Sequence, residues 1–483
     1  MESGTDFLQL DPASAPARGL TGWLADGLRA AIIDGRLGTG ASLPPSRELA
    51  DDLGISRGVV VEAYQRLKDE GLVSARPGTG TKILPYRQKA QQKAQHRPAP
   101  EPPVRLGVRA PGLLPLRWRE AAALDLSPGV PDLSGFPRAA WLRAERHVLT
   151  HASVGDLGYP DLRGVGWLRT ELAGWLSRTR GLRAHPDDII VVTGVAQALT
   201  LLAQRLRARG AAEIAVEDPG SRGSRDLFEY WGLRSVPVAV DEHGLRVSAL
   251  RETGPGVRAV VLTPAHQFPT GVVLAPERRR DLLDWAAGAG AGGLIIEDDY
   301  DAEFRYDRAP VPALHASGPD HVAYAGSTSK TLAPGMRLGW LIPPPRMHAD
   351  LLTAKHAADL GSPALPQMVL ARLISNGELE RHIRQVRKRQ RTRRDALLTA
   401  VREHLPHARV RGVAAGLHLL ISFPGLSMPD TEIAERILEA GVLVHPLSWH
   451  CQRNEAPGIV LGYAAYTPDQ LSEAVRRVAS AVS

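Results

Sequence analysis

Cysteine occurs once in the 483 residues, at Cys451. A disulfide framework and an all-cysteine metal site within one chain are therefore excluded. Lysine is almost as scarce. Among 59 basic residues only seven are lysine: Lys68, Lys82, Lys89, Lys93, Lys330, Lys355 and Lys388. Any chemistry that requires an amine has few candidates. No run approaches about 18 consecutive apolar residues, so a membrane-spanning helix is not expected. The opening Met1-Glu2-Ser3-Gly4-Thr5-Asp6 does not read as a signal peptide, which places the expected protein in the cytoplasm.

What is present is more than one domain's worth of chain. A mass of 52.1 kDa predicts roughly three units of ordinary size. Hydrophobic residues at 43% allow sizeable cores, and 47 glycines with 38 prolines imply many turns. A formal charge of +7 points to a polyanionic partner. The arginine bias also fits the codon usage of a GC-rich genome.

Three composition regimes follow one another. Residues 13–84 read as a compact helical unit with a Gly-rich tail. Residues 85–122 turn polar and then Pro-rich, through Arg97-Pro98-Ala99-Pro100-Glu101-Pro102-Pro103, which is the composition of a linker. Residues 123–483 alternate short apolar runs with helical patterns, as expected of an α/β domain with a mostly parallel sheet.

In the first unit, Leu20, Trp23, Leu24, Leu28 and Ile32 recur at helical spacing. Ser46 is placed to cap a second helix that ends at Gly54, and Ser56 to cap a third through Val60, Ala63, Tyr64 and Leu67. Gly71–Ala75 and Thr81–Leu84 then flank Arg76-Pro77-Gly78-Thr79-Gly80 as a small hairpin. The phrases Leu43-Pro44-Pro45-Ser46-Arg47-Glu48-Leu49-Ala50, Gly54-Ile55-Ser56-Arg57 and Gly78-x-Gly80-Thr81 resemble the GntR family of winged helix-turn-helix repressors. The resemblance implies double-stranded operator DNA as partner, met by Arg47, Ser56, Arg57, Arg76, Gly78 and Thr79. Helix N-termini there offer amides to phosphate, and arginines reach phosphate or guanine. Residues 1–82 carry nine basic and eleven acidic side chains, so only a local basic face serves this purpose. Gly58 stands where the family usually has a polar residue.

In the second domain four apolar runs end in chemistry. Gly293-Leu294-Ile295-Ile296 ends in Glu297-Asp298-Asp299-Tyr300. Val322–Ala325 ends in Gly326-Ser327-Thr328-Ser329-Lys330, followed by Arg337. Ile189–Thr193 leads into Gly194-Val195-Ala196-Gln197, and Ala259–Thr263 into Pro264-Ala265-His266-Gln267-Phe268-Pro269-Thr270-Gly271. Open α/β sheets hold ligands at the carboxyl ends of strands. Adjacent aspartates there demand a cationic or protonated partner, such as a pyridinium. A lysine between hydroxyls and an arginine suits a Schiff base beside a phosphate.

Together these junctions resemble the class I aminotransferases of the pyridoxal 5′-phosphate (PLP) fold type I. The resemblance implies a large domain with a mostly parallel sheet and a smaller C-terminal α+β part. It makes Lys330 the Schiff-base lysine. It pairs Asp298 with the pyridine nitrogen, and it sets Tyr300 and Gln267 beside the ring hydroxyl. Ser327, Ser329, Arg337 and the amides of Val195 and Ala196 hold the phosphate, and Tyr159 reaches the phosphate bound by a partner subunit. A GntR-like reader, a linker and this domain, in that order, resemble the MocR/GabR type of transcriptional regulator. That resemblance implies a head-to-tail homodimer and a small-molecule effector, either PLP or an amino compound. No metal is expected.

Two positions depart from the aminotransferase pattern. Ser221, in Glu217-Asp218-Pro219-Gly220-Ser221, replaces an aromatic residue that stacks on the pyridine. Pro457–Tyr463 lacks the arginine that grips a substrate carboxylate, for which Arg453 and Arg411 stand as alternatives. Both losses favour a sensor, with PLP itself as one effector. A working aminotransferase with an appended reader is the other reading. Arg381–Arg394 packs eight basic residues into fourteen, read either as a solvated helix face or as a second DNA-contacting surface. Trp141, Trp167 and Trp175 read as core.

Overall fold

Leu24, Leu28, Ala31 and Ile32 fall on one stripe, and that stripe is the buried face of α1 (Leu20–Ile33). The computed structural model describes residues 15, 19–76, 80–84, 122–288, 293–306, 311–453 and 456–482. The chain divides into two compact units, 1–105 and 106–483. In the first, α1 is followed by β1 (Ser42–Leu43), α2 (Ser46–Leu53), α3 (Arg57–Asp69), β2 (Val73–Arg76) and β3 (Gly80–Ile83). Leu49, Val60, Ala63, Leu67 and Val73 close the core against α1. Gly54 ends α2 with φ +63°, where a side chain would be strained.

The helix-turn-helix and the hairpin appear where the sequence placed them, with two corrections. Ser46 is the first helical residue rather than the cap; Pro45 holds the cap position, and Tyr64 donates from its hydroxyl to Pro44 O at 2.8 Å. Ser56 does precede α3, but its side chain makes no capping bond. The hairpin also gains a third antiparallel strand, with Ser42 opposite Lys82. Two residues carry no readable alternation, so β1 left no signal.

The second unit holds β4 (Leu124–Asp125), α4 (Arg138–His151), α5 (Gly166–Arg180), β5 (Ile190–Val192), α6 (Val195–Ala208), β6 (Glu213–Asp218), α7 (Arg222–Tyr230), β7 (Arg234–Asp241), β8 (Gly244–Leu245) and α8 (Val247–Arg251). It continues with β9 (Ala259–Leu262), α9 (Pro276–Gly288), β10 (Leu294–Asp299), β11 (Val322–Ser327), β12 (Gly339–Ile342), α10 (Pro345–Asp359), α11 (Ala364–Ser375) and α12 (Glu378–His404). Its last part comprises β13 (Arg409–Arg411), β14 (His418–Ser422), α13 (Asp430–Glu439), β15 (Val442–Leu443), β16 (His445–Pro446), β17 (Gly458–Gly462) and α14 (Pro468–Val482).

Eight strands form the main sheet in the order β5-β12-β11-β10-β9-β6-β7-β8. Its centre, from β7 through β6, β9 and β10 to β11, is parallel; β12 and β8 run against their neighbours. Helices cover both faces. Ile296 and Val261 pack with Leu199, Leu202 and Phe228, while their neighbours Ile295 and Val260 pack with Leu282 and Trp285. That is why these strands read as unbroken apolar runs. A four-stranded antiparallel sheet, β13-β14-β17-β16, packs with α12, α13 and α14 around Leu397, Leu419, Ile433, Leu461 and Leu471.

Neither reading of the basic stretch holds for the whole of it. Arg389 and Arg393 pair with Asp132 at 3.1 and 2.9 Å, and Arg387 donates from Nε to Glu303 O at 2.8 Å. Arg394 is buried, donating to Val413 O and lying 4.8 Å from the Tyr306 ring centre. Only Arg381, Arg384, Lys388 and Arg391 face outward. Composition could not separate the two groups, because α12 has packed neighbours on one side only. Trp175 is core, edge-on to Trp340, and Trp141 packs against the same cluster. Trp167 instead lies at the surface beside Glu171.

Leu67 is fully buried in the reader core. Leu67→Ala is expected to cost the reader unit about 2–5 kcal/mol in denaturant unfolding.

Candidate functional site

The carboxyl ends of β9, β10 and β11 open into a cavity of about 280 Å³. Lys330, Asp298, Tyr300, Ser327, Ser329, Arg337, Val195 and Ala196 all line it, so eight of the residues singled out by sequence converge. Lys330 Nζ donates to the Gly129 carbonyl. Gly129 has φ +88°, a backbone conformation that favours glycine, and a Cβ there would sit 3.1 Å from the amine. Burial holds the Lys330 amine below its ordinary value, against the pull of Asp301 and Asp298. Lys355 is not a rival: it is buried in a pair with Asp359 at 2.8 Å. Lys388 is exposed on α12.

Strand alternation sorts the acidic end of β10. Glu297 accepts the amides of Leu314 and His315 at 2.8 and 3.0 Å. Asp299 pairs with Arg180 at 2.7 Å and accepts the Tyr324 hydroxyl at 2.6 Å. Asp298, between them, points to the other face, and its Oδ1 is buried without a partner. Burial and then the neighbouring Asp299 and Asp301 push its carboxyl up to about 7. Tyr300 is raised as well, by burial first and then Asp301. Its hydroxyl lies 3.2 Å from His266 Nδ1, which is itself 2.9 Å from Asp301 Oδ2.

The cup opposite Lys330 is built from backbone. Gly194 precedes α6 with φ +99°, and a Cβ on it would meet the Arg337 guanidinium at 3.3 Å. Gln197 is the first amide to close back, onto Gly194 O, so the amides of Val195 and Ala196 lie ahead of the helical bonds. Arg337 takes φ +51°, a left-handed conformation that is costly for a residue with a Cβ. A helix N-terminus, two serines and an arginine suit a phosphate.

Two predicted residues lie elsewhere. Gln267 does not line the cavity. Its amide donates to Pro219 O and Phe268 O, and its oxygen accepts from Thr270 N and Oγ1, so it braces the turn. Phe268, one residue on, faces the cavity instead. Tyr159 is 90% exposed and is not part of this chain's cavity lining. His418 of β14 also lines the site, brought there by the C-terminal sheet with no signal in its own neighbourhood. Ser221 lines it too, but as the N-cap of α7: its Oγ accepts from Ser224 N at 3.2 Å.

The carboxylate clamp is missing in space as well as in sequence. Gly458 lies opposite Ser422, at the end of β17 away from the cavity-lining His418, and does not reach the cavity. Arg453 donates to Pro237 O, and Arg411 lies exposed on β13. Among the described residues, Arg337 is the one arginine lining the cavity.

In the first unit, Arg47, Ser56 and Arg57 are exposed at the starts of α2 and α3. Arg57 Nε donates to Ser46 Oγ at 3.4 Å, which ties the two helix starts together. Gly78, Thr79 and the side chain of Arg76 lie outside the described residues.

Residues 122–478 match the model of the aminotransferase class I and II family, and residues 21–83 that of the bacterial regulatory proteins of the gntR family. The chain is 32% identical to the HTH-type pyridoxine biosynthesis transcriptional regulator PdxR of Corynebacterium glutamicum, over 98% of this chain and 97% of that one. It is 30% identical to the probable rhizopine catabolism regulatory protein MocR of Rhizobium meliloti, over 95% and 92%. The chain belongs to the MocR type of transcriptional regulator. Its larger unit resembles the kynurenine aminotransferase of Pyrococcus horikoshii in complex with PMP, with TM-score 0.70 and 27% identity, covering 76% of this chain and 92% of that one.

PLP is the cofactor of this fold, and the site of this MocR-type chain fits it. The unpartnered Asp298 oxygen suits a protonated ring nitrogen, and the cup at Gly194 suits the phosphate. When bound, PLP supplies an electrophilic carbon that reacts with amines. Lys330 offers the amine, and Tyr300 a donor held by His266 and Asp301. A cofactor cation would restore the charged form of Asp298. Without it, the raised carboxyl stabilises the fold fully below about pH 4, and that contribution is lost as pH rises through about 7. Glu217 and Glu303, also at about 7, act in the same direction. The melting temperature of cofactor-free protein should therefore fall across that window. Asp298→Asn should make the fall smaller and weaken PLP binding at least about tenfold, measured by absorbance titration.

Proposed function

We propose that PLP itself is the effector of this DNA-binding regulator, and that its occupancy of the large unit sets operator affinity. The observation that carries this reading is the composition of the cavity. It keeps the lysine, the acid for the ring nitrogen and the phosphate cup, while among the described residues Arg337, in that cup, is the one arginine that lines it. Such a site holds the cofactor without gripping an amino acid by its carboxylate. A full-length relative is named for pyridoxine biosynthesis, which agrees with PLP as the signal.

The rest of the reading follows the same lines. Arg47, Ser56 and Arg57, with the wing residues Arg76, Gly78 and Thr79, contact double-stranded operator DNA. The chain works in the cytoplasm as a head-to-tail homodimer, and the exposed Tyr159 completes the phosphate site of the partner subunit. Coupling requires PLP to favour one arrangement of the readers over another. No helix among the described residues is long and apolar enough to cross a membrane.

Purified protein is titrated with PLP while the visible absorption band and binding to its own upstream DNA are followed. The band should appear, and operator affinity should change by at least about fivefold, the lower end of ordinary coupling. A band with unchanged affinity for DNA rejects PLP as the effector. Affinity that changes only when an amine is added with PLP transfers the role to that amine. Rapid turnover of amino acid and keto acid supports the aminotransferase reading instead. Arg57→Ala should weaken operator binding by about 1–3 kcal/mol in a gel-shift titration, with PLP binding unchanged.

A further inference from the structure

A second cavity, of about 420 Å³, lies apart from the cofactor site. The end of α5, the Ala302-Glu303 segment after β10 and the first turns of α12 enclose it. Its volume is that of an ordinary metabolite pocket. Four arginines line it, Arg178, Arg180, Arg384 and Arg387, against two glutamates, Glu303 and Glu380.

The wall is built rather than incidental. Arg180 has a side chain only 3% exposed. Its Nε is fixed on Asp299 and its Nη1 on Val311 O, yet its Nη2 is buried without a partner. Trp175 is equally buried, and its Nε1 also lacks an acceptor. Arg387 is oriented by its Nε bond to Glu303 O. Arg178 lies 3.5 Å from Glu380, which offsets part of its charge; Glu380 Oε2 and Glu303 Oε2 in the same wall are buried without a donor. Buried N–H groups left without acceptors are rare in folded proteins, and an oxyanion satisfies several at once. Ile383 and Pro312 add an apolar side for the body of a ligand.

We propose that this cavity binds a small organic anion, carrying a carboxylate or a phosphate, as an effector distinct from PLP. Arg180 links the two sites. It holds Asp299 at 2.7 Å, and Asp299 is the strand neighbour of Asp298. An anion that draws on Arg180 weakens its hold on Asp299 and changes the field at Asp298. The effect on PLP affinity and the effect of PLP on the anion are then reciprocal. This inference does not depend on PLP being the signal read by DNA.

The test uses full-length, PLP-loaded protein, so that the phosphate cup at Arg337 is filled. Succinate and inorganic phosphate are titrated separately at constant ionic strength, with calorimetry and tryptophan fluorescence as readouts. Saturable binding of at least one of them, one per chain, is expected, and the two arms tell carboxylate from phosphate. Arg384 is exposed, so Arg384→Met should leave the fold intact and weaken the probe about tenfold. The saturating probe should also shift the PLP dissociation constant at least about threefold. Absence of saturable binding by both probes overturns the proposal. So does binding that survives Arg384→Met but is lost in Arg337→Met, because it then belongs to the cofactor cup.

Discussion

Three carboxyl groups in succession at the end of a buried strand are the constraint on which this molecule turns. Glu297 and Asp299 are buried and Asp298 is half-buried at the cavity, and a carboxylate taken from water is costly unless it is met by donors or cations. Strand alternation divides the problem. Glu297 and Asp299 share one side, where two backbone amides meet Glu297, and Arg180 and Tyr324 meet Oδ2 of Asp299 while its Oδ1 has no partner. Asp298 faces the other side, and its only remedy is a ligand or a proton. The fold thus carries a built-in demand for a cationic ring, and the rest of the site is arranged around that demand.

The same economy explains the lysines. Lys355 is neutralised by Asp359 inside the fold and Lys388 is solvated, so one amine stands at the strand ends. Gly129 and Gly194 hold the positive φ with which the backbone comes close to Lys330 and to Arg337. On the other side, among the described residues no arginine besides Arg337 lines the cavity, and Ser221 there caps a helix. What remains is a holder for the cofactor with little grip on anything larger.

Much of this was legible beforehand because strand ends concentrate it. A short apolar run followed by glycine, serine, lysine or aspartate marks the carboxyl edge of a parallel sheet, where ligands bind. The errors have equally local causes. Gln267 and Phe268 are adjacent, and which of them faces the cavity depends on a turn closed by Thr270 and by Pro219, the latter 48 residues away. The basic stretch in α12 divided into internal and external halves because Asp132, Glu303 and Val413 reach it from distant segments. Composition cannot register such partners.

The sequence by itself determined the order of modules and the family, and it singled out Lys330 and Asp298. Each of those is a local pattern, fixed by the spacing of a motif or the end of a hydrophobic run. Only the tertiary structure decided that Phe268 and His418 face the cofactor cavity, and that Arg180 stands behind Asp299 at a second cavity. Those are contacts between segments far apart in the sequence, and they exist only once the sheet has ordered its strands.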